Sequence, residues 1–185
     1  MPIHIIAHRG YSHQAPENTN VAFDLALESG FPHVELDVHL TGDGIPVVIH
    51  DKTVDRTTNG FGNVIDTTLD GIRALDIVAP NVSSMGHLYE GLSVPTLDEV
   101  LLRYRGKAHL YIELKSDHTN LPKYVAKLLN KHGWLDVHDR DIYSVPGVTI
   151  ISFNLEQVIR SRAIIPEVGH GWLVLRLGGT EVEVA

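Results

Sequence analysis

The chain has 185 residues, a formal net charge of −8, 43% hydrophobic and 21% charged residues, and no cysteine. That size and mixture fit one globular domain, 1–185, and exclude a disordered or fibrous chain, a disulfide scaffold and thiolate metal sites. The acidic balance, with a pI near 5.8, excludes bulk-charge affinity for nucleic acid or anionic lipid and makes a cation the more natural partner. No apolar run approaches the ~20 residues of a membrane-spanning helix. The N-terminal Met1-Pro2-Ile3-His4 lacks the basic segment and apolar core of a secretory signal, so a cytoplasmic protein is expected.

Ile3 to His8 is a short apolar run ending in Arg9-Gly10, which predicts a buried strand and a turn. A helix follows, capped by Asn18 or Thr19, with Val21, Ala22, Leu25 and Ala26 on its apolar face and Gly30 at its left-handed end. His33 to Leu40 then alternates, with Val34, Leu36, Val38 and Leu40 on one side and Glu35, Asp37 and His39 on the other. Thr41-Gly42-Asp43-Gly44 predicts a turn into a second short strand, Ile45 to His50, and so a hairpin.

Residues 51–95, rich in Gly, Asn, Asp and Ser, read as an insertion with one helical stretch near Thr68 to Leu75. Thr96-Leu97-Asp98-Glu99 fits a capping box for a helix through Arg105, and His109 to Lys115 returns to a strand pattern. Pro122 and Gly133 bracket another helix, and Gly147 to Phe153 is the next strand. Asn154 and Gln157 resemble a cap and its partner for a helix to Ile165, before a fifth strand from about Glu167 to Leu175. Such alternation predicts a parallel sheet whose functional groups gather at the carboxyl ends of its strands, where His8, Glu35, Asp37, His50, Glu113 and Lys115 fall.

Three carboxylates on separate strands suit a hard divalent cation, and salt-bridged strand carboxylates are the plain alternative. Two imidazoles suit proton transfer, an arginine the planar recognition of phosphate, and a lysine a point charge. The joint pattern is more specific than its members. His8-Arg9-Gly10, Pro16-Glu17-Asn18-Thr19, Glu35-Leu36-Asp37, Thr41 to Gly44, His50-Asp51, Pro95 to Glu99 and Glu113-Leu114-Lys115, in that order, closely resemble the glycerophosphodiester phosphodiesterase family.

The resemblance, over about residues 3 to 155, implies a (β/α) TIM-type barrel enzyme that hydrolyses glycerophosphodiesters to glycerol 3-phosphate and an alcohol. It implies metal ligands at Glu35, Asp37 and Glu113 for Mg²⁺ or Ca²⁺, general acid and base at His8 and His50, and phosphate contacts at Arg9 and Lys115. The insertion at 51–95 matches the one the family carries after its second strand, with Gly60 to Asn63 expected to shape the alcohol side.

An eight-stranded barrel typically needs ~250 residues, and this chain offers about five of the eight strand and helix units. After them, Trp172 to Val184 reads as a terminal hairpin. An open sheet would present unpaired edges suited to self-association, so a catalytically silent binding or assembly module is one alternative. Another is a lysophospholipase D, for which Phe61, Ile65, Leu69, Met85 and Leu88 would have to line an acyl channel rather than fill the insertion's own core.

Overall fold

A computed structural model describes residues 3–79, 91–136 and 143–175. Its centre is a parallel sheet of strands β1 (Ile6–Ala7), β2 (His33–Leu40), β4 (His109–Leu114), β5 (Gly147–Ser152) and β6 (Gly169–Trp172), side by side in that order. A sixth strand, β3 (Pro46–Val48), pairs antiparallel with the carboxyl end of β2 through Val38↔Val48 and Leu40↔Pro46, closing the expected hairpin. Since β4 flanks the other side of β2, β3 continues the edge that β1 begins.

Helices α1 (Asn20–Glu28), α3 (Leu97–Tyr104), α4 (Leu121–Lys131) and α5 (Leu155–Ile164) connect the parallel strands, and a short α2 (Leu69–Arg73) lies in the insertion. Their starts follow local chemistry. Thr19 Oγ1 accepts from the Ala22 amide at the head of α1. Thr96 and Glu99 satisfy one another's backbone amides in a full capping box at α3. Asn154 accepts from the Glu156 amide at α5.

Of the two candidate caps of α1, Thr19 is the one that acts, since the Asn18 side chain is held by Asp37. One detail departs from the expectation: Gln157 does not close a capping box, because its amide donates to the carbonyls of Ser116 and His118, tying α5 to the loop after β4.

All eight residues of β2 are buried, for different reasons on its two faces. Val34, Leu36, Val38 and Leu40 join Leu110, Ile112 and Leu114 of β4 and Val148 and Ile150 of β5 against Phe23 and Ala26 of α1, Leu97, Leu101 and Tyr104 of α3, and Val125 and Leu129 of α4. Each fully buried leucine or phenylalanine there contributes roughly 1.5–3 kcal/mol. The opposite face carries His33, Glu35, Asp37 and His39 of β2, with His109, Tyr111 and Glu113 of β4. The β2–β4 register pairs Asp37 with Glu113, so two acidic residues stand side by side on that face.

The insertion builds a second apolar cluster on β3, in which Val47 and Ile49 meet Val54, Val64, Ile72 and Val94, with Leu69 and Leu75 packed against them. Leu69 therefore belongs to this small core, while Phe61, at 88% exposure, and Ile65 lie at the surface. Met85 and Leu88 fall outside the described residues.

The outer strands are shorter than their sequence patterns. β1 covers two of the six residues expected, and Ile3, Ile5 and Ile6 are exposed, because β1 is paired on one side alone among the described residues. β6 covers four residues, matching the length along which β5 can pair with it, and Trp172 is half-exposed. The turn and second strand of the expected terminal hairpin fall outside the described residues. Among the described residues, no helix is long and apolar enough to cross a membrane.

Candidate active site

The turn after β1 is built from two successive residues with positive φ, Arg9 at 57° and Gly10 at 78°. Only glycine fits the second position. A Cβ on Gly10 would lie 2.7 Å from the Ala22 backbone and 2.8 Å from Phe23, so the turn can rest directly on α1. The left-handed Arg9 costs on the order of 1 kcal/mol. In return its backbone N–H donates to Glu35 Oε2 at 2.9 Å, and its side chain reaches Glu17 Oε1 at 3.0 Å and lies 3.3 Å from Asp37 Oδ2.

Glu35, Asp37 and Glu113 are all buried, and each offers a carboxylate oxygen within 4.8 Å of the others'. Lys115 Nζ stands beside them, 2.9 Å from Glu113 Oε1 and 3.4 Å from Asp37 Oδ1. Asn18 grips Asp37 twice: its Nδ2 donates to Oδ2 at 2.8 Å, and its Oδ1 accepts from the Asp37 backbone N–H at 3.2 Å. Burial, followed by repulsion from the Asp37 carboxylate, pushes the Glu35 carboxyl up to about 8, and burial also raises Glu113. Two cationic side chains thus stand beside three crowded carboxyl groups, of which Glu35 gives up its proton least readily.

The two histidines approach this cluster from different loops. His8 is largely exposed, with Nε2 3.9 Å from Glu35 Oε2, and partial desolvation followed by the adjacent Arg9 charge lowers its pKa. His50, just beyond β3, donates from Nδ1 to Asp51 Oδ1 at 2.6 Å. A carboxylate at that distance accepts, so Nδ1 carries the proton and a neutral ring presents its lone pair on Nε2. The His50 carbonyl is held at 3.0 Å by Nε2 of His39, whose pKa burial lowers.

Arg56, in the first turn of the insertion, makes two paired contacts. Its Nη1 and Nη2 donate to Glu17 Oε2 and Oε1 at 2.9 and 2.8 Å, and its Nε and Nη2 to Asp51 Oδ2 and Oδ1 at 2.7 and 3.1 Å. The Arg56 hydrogen bonds hold Asp51 at about 2. Burial alone would raise Glu17, but Arg56 and Arg9 keep it below the usual carboxylate value.

Of the residues singled out from the sequence, Arg9, Glu35, Asp37, Glu113 and Lys115 converge directly, with His8 alongside them, while His50 is oriented from a separate loop by Asp51. Glu17, Asn18 and Asp51 lie within the sequence motifs, yet nothing local reveals what they hold. Arg56 has no local signal at all. Gly60 to Asn63 fold back on the insertion itself: Gly60 sits against Leu75, Gly62 N–H donates to Asp55, and Asn63 donates to Asp66.

The donor set fits a hard divalent cation. All three carboxylates supply oxygen, and Glu35 Oε1 and Asp37 Oδ1 are buried without a hydrogen-bond partner among the described residues, an expensive state that a bound cation would relieve.

A parallel α/β sheet with its polar cluster at the carboxyl ends of the strands is the arrangement of TIM-barrel proteins. Solved structures agree. The chain superposes on a glycerophosphodiester phosphodiesterase from Agrobacterium tumefaciens with a TM-score of 0.76 and 37% identity, covering 91% of this chain and 66% of that one. It superposes on an Oleispira antarctica phosphodiesterase, solved in complex with the product sn-glycerol-3-phosphate, with a TM-score of 0.77 and 33% identity, covering 92% and 65%. A glycerophosphodiester phosphodiesterase of Bacillus subtilis (strain 168) is 38% identical over 168 residues, 87% of this chain and 56% of the relative.

Residues 8–174 match the glycerophosphoryl diester phosphodiesterase family. The chain belongs to that family, and it spans between about half and two thirds of the length of these relatives.

Proposed function

We propose that the protein hydrolyses glycerophosphodiesters to glycerol 3-phosphate and an alcohol, with a divalent cation, Mg²⁺ or Ca²⁺, held by Glu35, Asp37 and Glu113. The carrying observation is the cluster itself: three buried carboxylates with oxygens within 4.8 Å of one another, two of those oxygens without a hydrogen bond among the described residues, and Arg9 and Lys115 at their side. Membership of the family and similarity to a relative solved with sn-glycerol-3-phosphate support the substrate class.

A phosphodiester carries a negative charge that repels nucleophiles, so hydrolysis needs cationic groups where oxygen charge develops and a proton for the departing alkoxide. When bound, the cation supplies Lewis-acid polarisation of oxygen. Arg9 offers a planar guanidinium to the phosphoryl oxygens and Lys115 a compact charge, both anchored on the carboxylates. One imidazole of the His8 and His50 pair removes a proton from water or the neighbouring glycerol hydroxyl, and the other returns one to the leaving alcohol.

The test is turnover of glycerophosphocholine by the full chain. Activity should require Mg²⁺ or Ca²⁺ and disappear with chelator, and folded His8→Ala and His50→Ala variants should each lose it. A well-folded protein without turnover in either metal would favour a binding or assembly module instead. Near-wild-type turnover in either histidine variant would refute the acid and base assignment.

A further inference from the structure

We propose that Arg56 is a positioning residue: a single guanidinium that sets His50 through Asp51 and Arg9 through Glu17, fixing the two relative to one another. The proposal rests on the reading that His50 and Arg9 serve phosphodiester hydrolysis.

Two chains of contact leave Arg56 in opposite directions. Along one, Nε and Nη2 grip both oxygens of Asp51, whose Oδ1 receives the His50 Nδ1 proton at 2.6 Å. Along the other, Nη1 and Nη2 grip both oxygens of Glu17, whose Oε1 also receives Arg9 Nη1 at 3.0 Å. Four of the five guanidinium N–H groups are used, in two fork-to-carboxylate pairs of the strongest charge-assisted type. A carboxylate held at both oxygens cannot rotate, so neither can the side chain it orients.

The backbone carrying Arg56 is itself fixed. Val54 and Thr58, on either side, are buried; the Thr58 N–H and hydroxyl both bond to the Val54 carbonyl; and the Val54 N–H bonds to the Gly62 carbonyl. Glu17 comes from the loop after β1, whereas Asp51 and Arg56 share the loop after β3, so Arg56 ties two separate loops together. The insertion therefore contributes a working side chain to the site although its own core lies apart from the main one.

Lysine cannot replace this fork, because an ammonium is a compact point charge on a flexible stem and cannot bind two carboxylates bidentately. The test uses the full chain labelled with ¹⁵N-histidine, with the His50 signal assigned by comparison with His50→Ala. In the wild type the Nδ1–H proton is expected to give a downfield resonance, its exchange slowed by the 2.6 Å hydrogen bond to Asp51. In folded Arg56→Ala that resonance is expected to vanish into solvent exchange, and kcat on glycerophosphocholine to fall about 10- to 100-fold, as for other residues that orient functional groups from behind. KM is expected to rise as Arg9 is released.

Arg56→Lys, which keeps the charge, is expected to lose the resonance too, and it serves as the test if the alanine variant does not fold. A purely structural tie between loops would lower the melting temperature and leave the His50 resonance and the kcat of the folded protein intact. That result would overturn the proposal. If the wild type shows no turnover, the hydrolase reading fails while the resonance still decides the role of Arg56.

Discussion

The crowding of Glu35, Asp37 and Glu113 has a thermodynamic consequence that can be measured without any substrate. In the metal-free protein Glu35 keeps its proton up to about pH 8, whereas in the unfolded chain it releases it near 4.5. Between those values the folded state binds more protons than the unfolded state, so the Glu35 contribution to stability is fully present below 4.5, declines as pH rises through the interval, and levels off above 8. At about 1.4 kcal/mol per tenfold change in proton affinity, the effect is on the order of 3–5 kcal/mol for a carboxyl as buried as this one.

Glu35→Gln removes the charge and keeps the shape. Urea unfolding of both proteins in chelator from pH 5 to 9 should therefore show wild-type stability falling relative to the variant by that amount, with the variant the more stable at pH 9. Adding Mg²⁺ or Ca²⁺ at pH 8 should restore the wild type and leave the variant largely unmoved. Calorimetry of metal binding at pH 7 should detect proton release, as a heat that changes with the ionisation enthalpy of the buffer. Parallel stability curves for the two metal-free proteins would refute the claim that these carboxylates are held together against their mutual repulsion.

Three further outcomes are expected. Gly10→Ala combines a left-handed backbone with a 2.7 Å clash against Ala22, and should cost about 2–4 kcal/mol in chemical denaturation while displacing Arg9 and weakening phosphate binding. Asn18→Asp sets a second carboxylate 2.8 Å from Asp37 in a buried site, and should destabilise the metal-free protein by about 1–3 kcal/mol at pH 8, less at pH 4 where protonation relieves the repulsion, as read by thermal melts. Asp51, held at about 2 against 3.8 unfolded, stabilises the fold above pH 3.8 and loses that contribution as pH falls toward 2. Because the pair is partly open to solvent, the contribution is about 1 kcal/mol. Acid titration of the wild type against Asp51→Asn should show the difference closing between pH 4 and 2.

The acidic cluster was legible in the sequence because a strand has a period of two. His33 to Leu40 separates an aliphatic face from a polar one with no tertiary information, and its bounds match β2 residue for residue. Helix starts at Thr19, Thr96 and Asn154 were legible for the same local reason, since a cap bonds within three residues. The ends of β1 and β6 were not, because an outer strand extends only as far as its neighbour pairs with it, and pairing is a property of the sheet.

By itself, then, the amino-acid order determined which carboxylates, imidazoles and cations are available and that parallel strands deliver them to one end of a barrel-type sheet. Tertiary structure decided how they are held. Asp37 faces Glu113 because of the β2–β4 register. Asn18, just before the cap of α1, is held by a buried carboxylate 19 residues away. Arg56 reaches Glu17 across 39 residues and Asp51 across five. Hydrogen bonds between separate loops leave no periodic trace in the chain, so these residues became visible only once the loops were folded together.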